Sequence, residues 1–217
     1  MTPYISRGSA RGKLVALTFD DGPGPITPAL MGELRRLRAP ATFFQVADLV
    51  HSNPGVARRT QDRPFAVGSH TISHPYLSRL PFDAQRREIE GGAAAIEATR
   101  GRYPKLFRPP YGHWNDDTVK AVKRARMLMV FWSVSSRDWL ISDPDALARR
   151  VIRLTRPGGI VLMHDFGGVT REPTLQAVPI IVRGLRRKGY RFVTVPRLLR
   201  DAPPERRPPR PPRPYPL

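Results

Sequence analysis

Leu14-Val15-Ala16-Leu17-Thr18-Phe19-Asp20-Asp21-Gly22-Pro23 reads as an uncharged, apolar strand that runs directly into an acidic turn. The β-branched and aromatic residues up to Phe19 favour a pleated, buried segment, and Asp-Gly-Pro is good turn chemistry. Neighbouring side chains at a strand end face opposite ways, so Asp20 and Asp21 can take different tasks. One can bind a metal while the other stands beside it as a base. Outward from this stretch, short apolar runs at 41–46, 65–67, 127–133, 159–163 and 191–194 also read as strands. Stretches at 27–38, 82–99, 115–125, 144–154 and 173–188 read as helices, with Asn115 and Asp143 as N-caps and Gly189 as a C-terminal cap. Alternation of strand and helix along the chain predicts an α/β domain with a parallel sheet covered by helices, barrel-like or open. The candidate chemistry at Asp20, Asp138 and His164 falls at or just after strand C-termini, where barrel folds assemble their sites.

A chain of 217 residues can bury one sizeable core. Cysteine is absent, which excludes disulfides, thiolate metal sites and a cysteine nucleophile. No apolar run approaches the roughly 18 residues of a membrane helix. The Leu14–Leu17 run is too short for a signal-peptide core of about 7–15 residues, so an export signal would lie outside this chain. The formal net charge is +19, and arginine far outnumbers lysine. Basic residues scattered over a solvated surface account for that charge; attraction to an anionic cell-wall polymer is the functional alternative. No aromatic-basic nucleic-acid module is visible. The organisation expected is an N-terminal extension over 1–13, a catalytic domain over 14–199 and a Pro/Arg-rich tail over 200–217 that cannot bury a core.

Four further segments carry chemistry. In Ser69-His70-Thr71-Ile72-Ser73-His74-Pro75 the histidines are four apart, the spacing that puts two imidazoles on one side of a helical turn. Two histidines and one carboxylate are the usual catalytic zinc set, with a position left open for water and substrate. Phe107-Arg108-Pro109-Pro110-Tyr111-Gly112 is a stiff loop with an arginine able to orient a carboxylate. Ser136-Arg137-Asp138-Trp139 sets an aromatic face beside an acid, as a sugar site would. Leu162-Met163-His164-Asp165 ends a buried strand on a histidine within reach of an aspartate, the makings of a general acid. His113 and Trp114 read as surface loop, His51 has no evident partner, and no serine sits in a nucleophile elbow.

The ordered set Thr-Phe-Asp-Asp-Gly-Pro, His-Thr-x-x-His-Pro, Arg-Pro-Pro-Tyr-Gly, Asp-Trp and Leu-x-His resembles the polysaccharide deacetylases of carbohydrate esterase family 4, over about Leu14 to Val195. The resemblance implies a distorted, incomplete (β/α) barrel and metal-dependent removal of N-acetyl groups from amino sugars. It implies that Asp20 is the general base and that Asp21, His70 and His74 hold one divalent metal, Zn²⁺ with Co²⁺ or Ni²⁺ able to substitute. Arg108 would orient Asp20, and the Tyr111 N–H would help bind the oxyanion. Asp138 would pair with His164 as general acid, with Trp139 and Leu162 lining the groove. Three positions depart from the family's pattern: Ser135 where Asp is frequent, Ser69 where Asn is frequent, and Ala47 where Gly is frequent. The Ser135 departure is expected to alter local hydrogen bonding and leave the Asp138–His164 pair intact.

The residue types fit amide hydrolysis without the family name, because an amide needs a strong nucleophile, a stabilised oxyanion and a protonated leaving amine. The expectation is therefore a monomeric hydrolase of N-acetylglucosamine units in chitin-like oligomers or peptidoglycan, secreted or at the cell envelope by resemblance, with a cytoplasmic life left open. The rivals are an N-deacylase of a small non-polymeric compound on the same scaffold and a catalytically silent wall-binding protein.

Overall fold

In a computed structural model, which describes residues 4–168 and 170–204, the strands are β1 (Tyr4–Ile5), β2 (Leu14–Asp20), β3 (Ala41–Gln45), β4 (Ala66–Ser69), β5 (Leu106–Phe107), β6 (Leu128–Val130), β7 (Val134–Ser135), β8 (Gly159–His164) and β9 (Arg191–Phe192). They form one sheet in the order β1-β6-β5-β4-β3-β2-β8-β7, with β9 added against β2, and the named strands pair in parallel throughout. The sheet is open and strongly curled, a half-barrel with helices, as expected of the incomplete (β/α) barrel. The helices are α1 (Thr27–Arg36), α2 (Ala47–Ser52), α3 (Pro54–Thr60), α4 (Phe82–Arg100), α5 (Asp116–Arg124), α6 (Pro144–Leu154), α7 (Glu172–Arg187) and α8 (Val195–Asp201).

The central strands explain their own sequence. Every residue of β2 is buried, as a parallel strand covered on both faces requires. Val15, Leu17 and Phe19 enter one core with Leu30, Leu147 and Ile181 of the covering helices. Leu14 and Ala16 enter a second with Phe44, Phe107 and Phe131. The predicted caps are present: Asn115 accepts from the Thr118 N–H in a capping box, and Asp143 accepts from Asp145 and Ala146 at 3.0 and 3.2 Å. Gly189 follows α7 at φ +81°, with its N–H on Arg186 and that of Tyr190 on Leu185. That pattern closes the last turn and needs a residue without Cβ strain.

The structure differs from the expectation at the margins. The 127–133 run is not one strand: β6 stops at Val130, and β7 forms separately against β8. The two-residue strands β1 and β5 and the helices α2, α3 and α8 are additions to the pattern expected from sequence. Leu14 does not open the first strand, because β1 lies before it and pairs with β6, with Ile5 buried. At the other end α8 runs to Asp201, and the buried Ala202 accepts a hydrogen bond from Ser9. The remainder of the expected tail, 205–217, lies outside the described residues.

Candidate active site

Strand register assembles the site. In β2 and β8, Asp20 and His164 are direct partners, while Ser69 pairs with Phe107, so His70 and Arg108 follow at the same end of neighbouring strands. Asp138 follows β7. The C-terminal ends of the strands thus converge, as expected, on a cavity of about 460 Å³ lined by Asp20, Asp21, His70, His74, Tyr111, Trp139, Leu162 and His164, together with Tyr76, Pro109, Trp132 and Arg171.

Arg108 is wholly buried. Its guanidinium donates to Asp20 Oδ1 at 2.7 Å and Thr18 Oγ1 at 2.8 Å, and to the carbonyls of Val130 and Phe131 at 2.9 and 3.1 Å. It lies over the Phe44 ring, 4.1 Å from the centroid. A buried charge needs such pairing.

His70 and His74 do not lie on a helix. They follow β4 in a loop where Thr71 and His74 take positive φ, +75° and +63°. Glu88 of α4 holds the loop by accepting from the Ile72 and Ser73 N–H groups at 2.9 and 3.0 Å. The Ala47 and Asp48 N–H groups, opening α2, donate to Thr71 and Ile72 carbonyls. The loop nonetheless turns both Nε2 atoms to Asp21 Oδ1, at 3.4 and 3.1 Å. His70 Nδ1 lies 2.6 Å from the Arg108 carbonyl. A carbonyl only accepts, so Nδ1 carries a proton and Nε2 is the ring atom turned toward Asp21. The atom it faces, Asp21 Oδ1, is buried and has no hydrogen-bond partner among the described residues. Asp21, His70 and His74 each offer one atom within 4.8 Å of the others, and two imidazole nitrogens with a carboxylate oxygen fit a divalent cation. Burial alone would raise Asp21; the two imidazoles, with His164 beyond them, hold it well below the usual carboxylate range.

His164 is clamped by Asp138, which accepts from its ring Nδ1 and from its main-chain N–H, both at 2.7 Å. Burial by itself would lower the imidazole, but the Asp138 charge and hydrogen bond outweigh it, and the fields of Asp21 and Asp20 add to them, so His164 is raised to about 9. Asp138 is lowered in spite of its burial, chiefly by the His164 charge. Trp139 meets the His164 ring edge-on at 5.4 Å.

Several participants carry no local sequence signal. Thr174 donates to Asp138 Oδ2 at 3.0 Å, and Arg171 donates to the Asp138 carbonyl at 3.3 Å. Both come from the start of α7, far along the chain. Tyr76 stacks on Tyr111 with centroids 3.9 Å apart, Tyr111 meets His74 at 4.6 Å, and Arg79 lies over Tyr76 at 4.8 Å. This column supports Tyr111, whose φ of +58° is otherwise strained. Asp165 is buried, accepts from Thr27 Oγ1 at 2.5 Å, and packs so tightly beneath Gly22 that a Cβ there would collide with its carboxylate. Trp114 is not surface loop: it packs against Tyr4 and Phe131. His51 is exposed and outside the cavity.

With this geometry in place, comparison with known proteins gives a family. The profile of the polysaccharide deacetylase family matches residues 7–130. A peptidoglycan-N-acetylglucosamine deacetylase of Bacillus cereus is 38% identical over 191 residues, covering 87% of this chain and 89% of that protein. A chitooligosaccharide deacetylase of a Bradyrhizobium species is 34% identical, covering 85% and 90%. Among solved structures, the Bc1960 peptidoglycan N-acetylglucosamine deacetylase in complex with 4-naphthalen-1-yl-N-oxidanyl-benzamide superposes with a TM-score of 0.88 at 30% identity, covering 94% of this chain and 95% of that one. The chain belongs to the polysaccharide deacetylase family, and the expectation of a hydrolase acting on amide bonds stands.

Proposed function

We propose that this protein removes acetyl groups from N-acetylglucosamine units of a wall or chitin-like glycan at the cell envelope, as a monomer, with Asp21, His70 and His74 holding one Zn²⁺. The observation that carries the reading is the pairing of two preset proton-transfer groups, Asp20 on Arg108 and His164 on Asp138, in one cavity with the converging atoms of Asp21, His70 and His74. A divalent ion held there supplies Lewis acidity toward the acetyl carbonyl and acidifies water.

The chain's own residues do the rest. Asp20, fixed by Arg108, accepts the proton of the attacking water. The Tyr111 N–H donates to the developing oxyanion, a contribution of about 10²–10³ in rate for a well-placed donor. The hydrogen bond from His164 Nδ1 to Asp138 leaves Nε2–H of the imidazolium to protonate the departing nitrogen, worth roughly 10²–10⁴. Trp139 and Leu162 offer apolar surface to the acetyl methyl and the sugar.

Acetate release from N-acetylglucosamine oligomers and from peptidoglycan, with and without chelator, tests this. Release that the chelator stops and Zn²⁺ restores is the expected result. A metal-loaded protein silent on both glycans but active on soluble N-acyl compounds would replace the substrate class.

A further inference from the structure

Charges at the ends of several helices are sorted along the strand axis. Because the strands are parallel, the crossover helices begin at the catalytic end and finish at the opposite one. Acidic residues occupy the first turns: Asp48 in α2, Asp83 in α4, Asp116 in α5, Asp145 in α6 and Glu172 in α7. Basic residues occupy the last turns, Arg36 in α1, Arg59 in α3, Arg124 in α5, Arg153 in α6 and Arg187 in α7 among them. Cations at helix C-termini complement the dipole by about 0.3–1 kcal/mol each, which accounts for any one of them.

At the foot of the sheet the dipole accounts for Arg200, in the last turn of α8, but not for the arginines around it. There, at the N-terminal ends of β2, β3, β4 and β9, a second cavity of about 550 Å³ is lined by Arg63, Arg191, Arg197 and Arg200. Arg63 lies in the turn before β4 and Arg191 in β9, neither at a helix end. Asp201 is the one carboxylate lining the cavity among the described residues, and it pairs with Arg197 and Arg200. Phe65 and Phe192 form its floor, with the outer guanidiniums of Arg35 and Arg186 over their rings at 4.8 and 5.7 Å. A cleft with four arginines against one carboxylate, over an apolar wall, keeps an excess of positive charge that focuses the field and concentrates counter-ions.

We propose that this basal face is a docking site for a linear phosphodiester polymer of the envelope, and that it turns the catalytic mouth, at the other end of the strands, toward neighbouring neutral glycan. The partner's location rests on the wall-glycan reading above. Arginine forks suit phosphate oxygens, and a polymer engages several at once. Nucleic acid fits less well, because Phe65 and Phe192 are 7% and 8% exposed and offer no ring for bases to stack on.

The test uses the full chain and poly(glycerol phosphate), with affinity measured as a function of salt. The triple variant Arg63→Gln, Arg191→Gln, Arg200→Gln is compared with a charge-matched one, Arg87→Gln, Arg149→Gln, Arg183→Gln, placed on exposed helix flanks. The basal variant should bind at least tenfold more weakly and flatten the salt slope by about 2, at roughly 0.7 for each phosphate no longer engaged. The control variant should keep most of both. Equal losses in the two variants would overturn the site, because the whole-molecule charge would then suffice. No binding by the unmodified chain at low salt would overturn it too, and so would tenfold tighter binding to single-stranded DNA of equal phosphate number. Acetate release from a soluble oligomer is followed in all three proteins; it reports on the catalytic reading independently of the binding curves and should be the same in each.

Discussion

Arg108 holds His70 with its backbone and Asp20 with its side chain: its carbonyl lies 2.6 Å from His70 Nδ1, and its guanidinium 2.7 Å from Asp20 Oδ1. One residue therefore fixes the tautomer of a candidate metal ligand and the position of the candidate base. Two jobs that look separate in the sequence share a single anchor.

Replacing Arg108 by Met removes the guanidinium but leaves the carbonyl. The Asp20 carboxylate would then be buried without its cation, a loss of about 3–5 kcal/mol for a broken buried pair. A chain of this size should melt on the order of 10 °C lower, readable by calorimetry. An unchanged melting temperature would mean that Asp20 finds another partner.

Asp20 and the ligand set should separate cleanly. Asp20→Asn keeps the shape of the side chain and leaves Asp21, His70 and His74 in the chain, with His70 Nε2 3.9 Å from the substituted group, so one equivalent of metal should remain while turnover falls by at least about 10²-fold. His74→Ala removes one of the three convergent atoms, and elemental analysis should show metal lost. Full activity in the first variant would exclude Asp20 as the base, and retained metal in the second would exclude His74 as a ligand.

Much of this was legible because the most constrained residues announce themselves. Strands β2 and β8, covered on both faces, read as unbroken apolar runs, and the helix caps at Asn115 and Asp143 follow from side-chain chemistry. Strands β1 and β5 did not show, since two residues carry no periodicity. The spacing of His70 and His74 suggested a helical turn, yet a loop bent by two positive-φ residues and tied to Glu88 brings the rings together instead. Arg171 and Thr174 meet the site only through long-range folding, and nothing near them in the chain says so.

The Asp138–His164 pair gives a pH dependence with a definite sign. The folded imidazole is raised from the ordinary 6.5 to about 9, so its stabilisation is complete below about 6.5 and is lost as pH rises through about 9. The advantage of the natural chain over Asp138→Asn in melting temperature should shrink across that interval. As the general acid, His164 must be protonated, so kcat/KM should fall on the alkaline side. In the metal-free chain the ring should titrate near 9 by NMR. Added Zn²⁺ should move that midpoint down, because the fields of Asp21 and Asp20, which help raise it, are then offset. A ring titrating at 6.5 without metal would contradict the pairing.

Asp165 gives a linkage of the same sign, from a group held neutral instead of charged. Its carboxyl is raised to about 7, first by burial and then by the charges of Asp21 and Asp20, against the hydrogen bond from Thr27. One of its oxygens has no hydrogen-bond partner among the described residues. A carboxyl raised in the folded state stabilises fully below its ordinary 3.8, and that contribution drains away as pH rises through about 7. Asp165→Asn stays neutral at every pH and keeps an oxygen for Thr27, so it is blind to this titration. The melting temperature of the variant relative to the natural chain should therefore climb by several degrees between pH 4 and pH 8, at about 1.4 kcal/mol for every tenfold difference in proton affinity between the folded and unfolded chain. A difference that stays flat would place the Asp165 carboxyl at its ordinary value and remove the tight seat beneath Gly22 as the source of the strain.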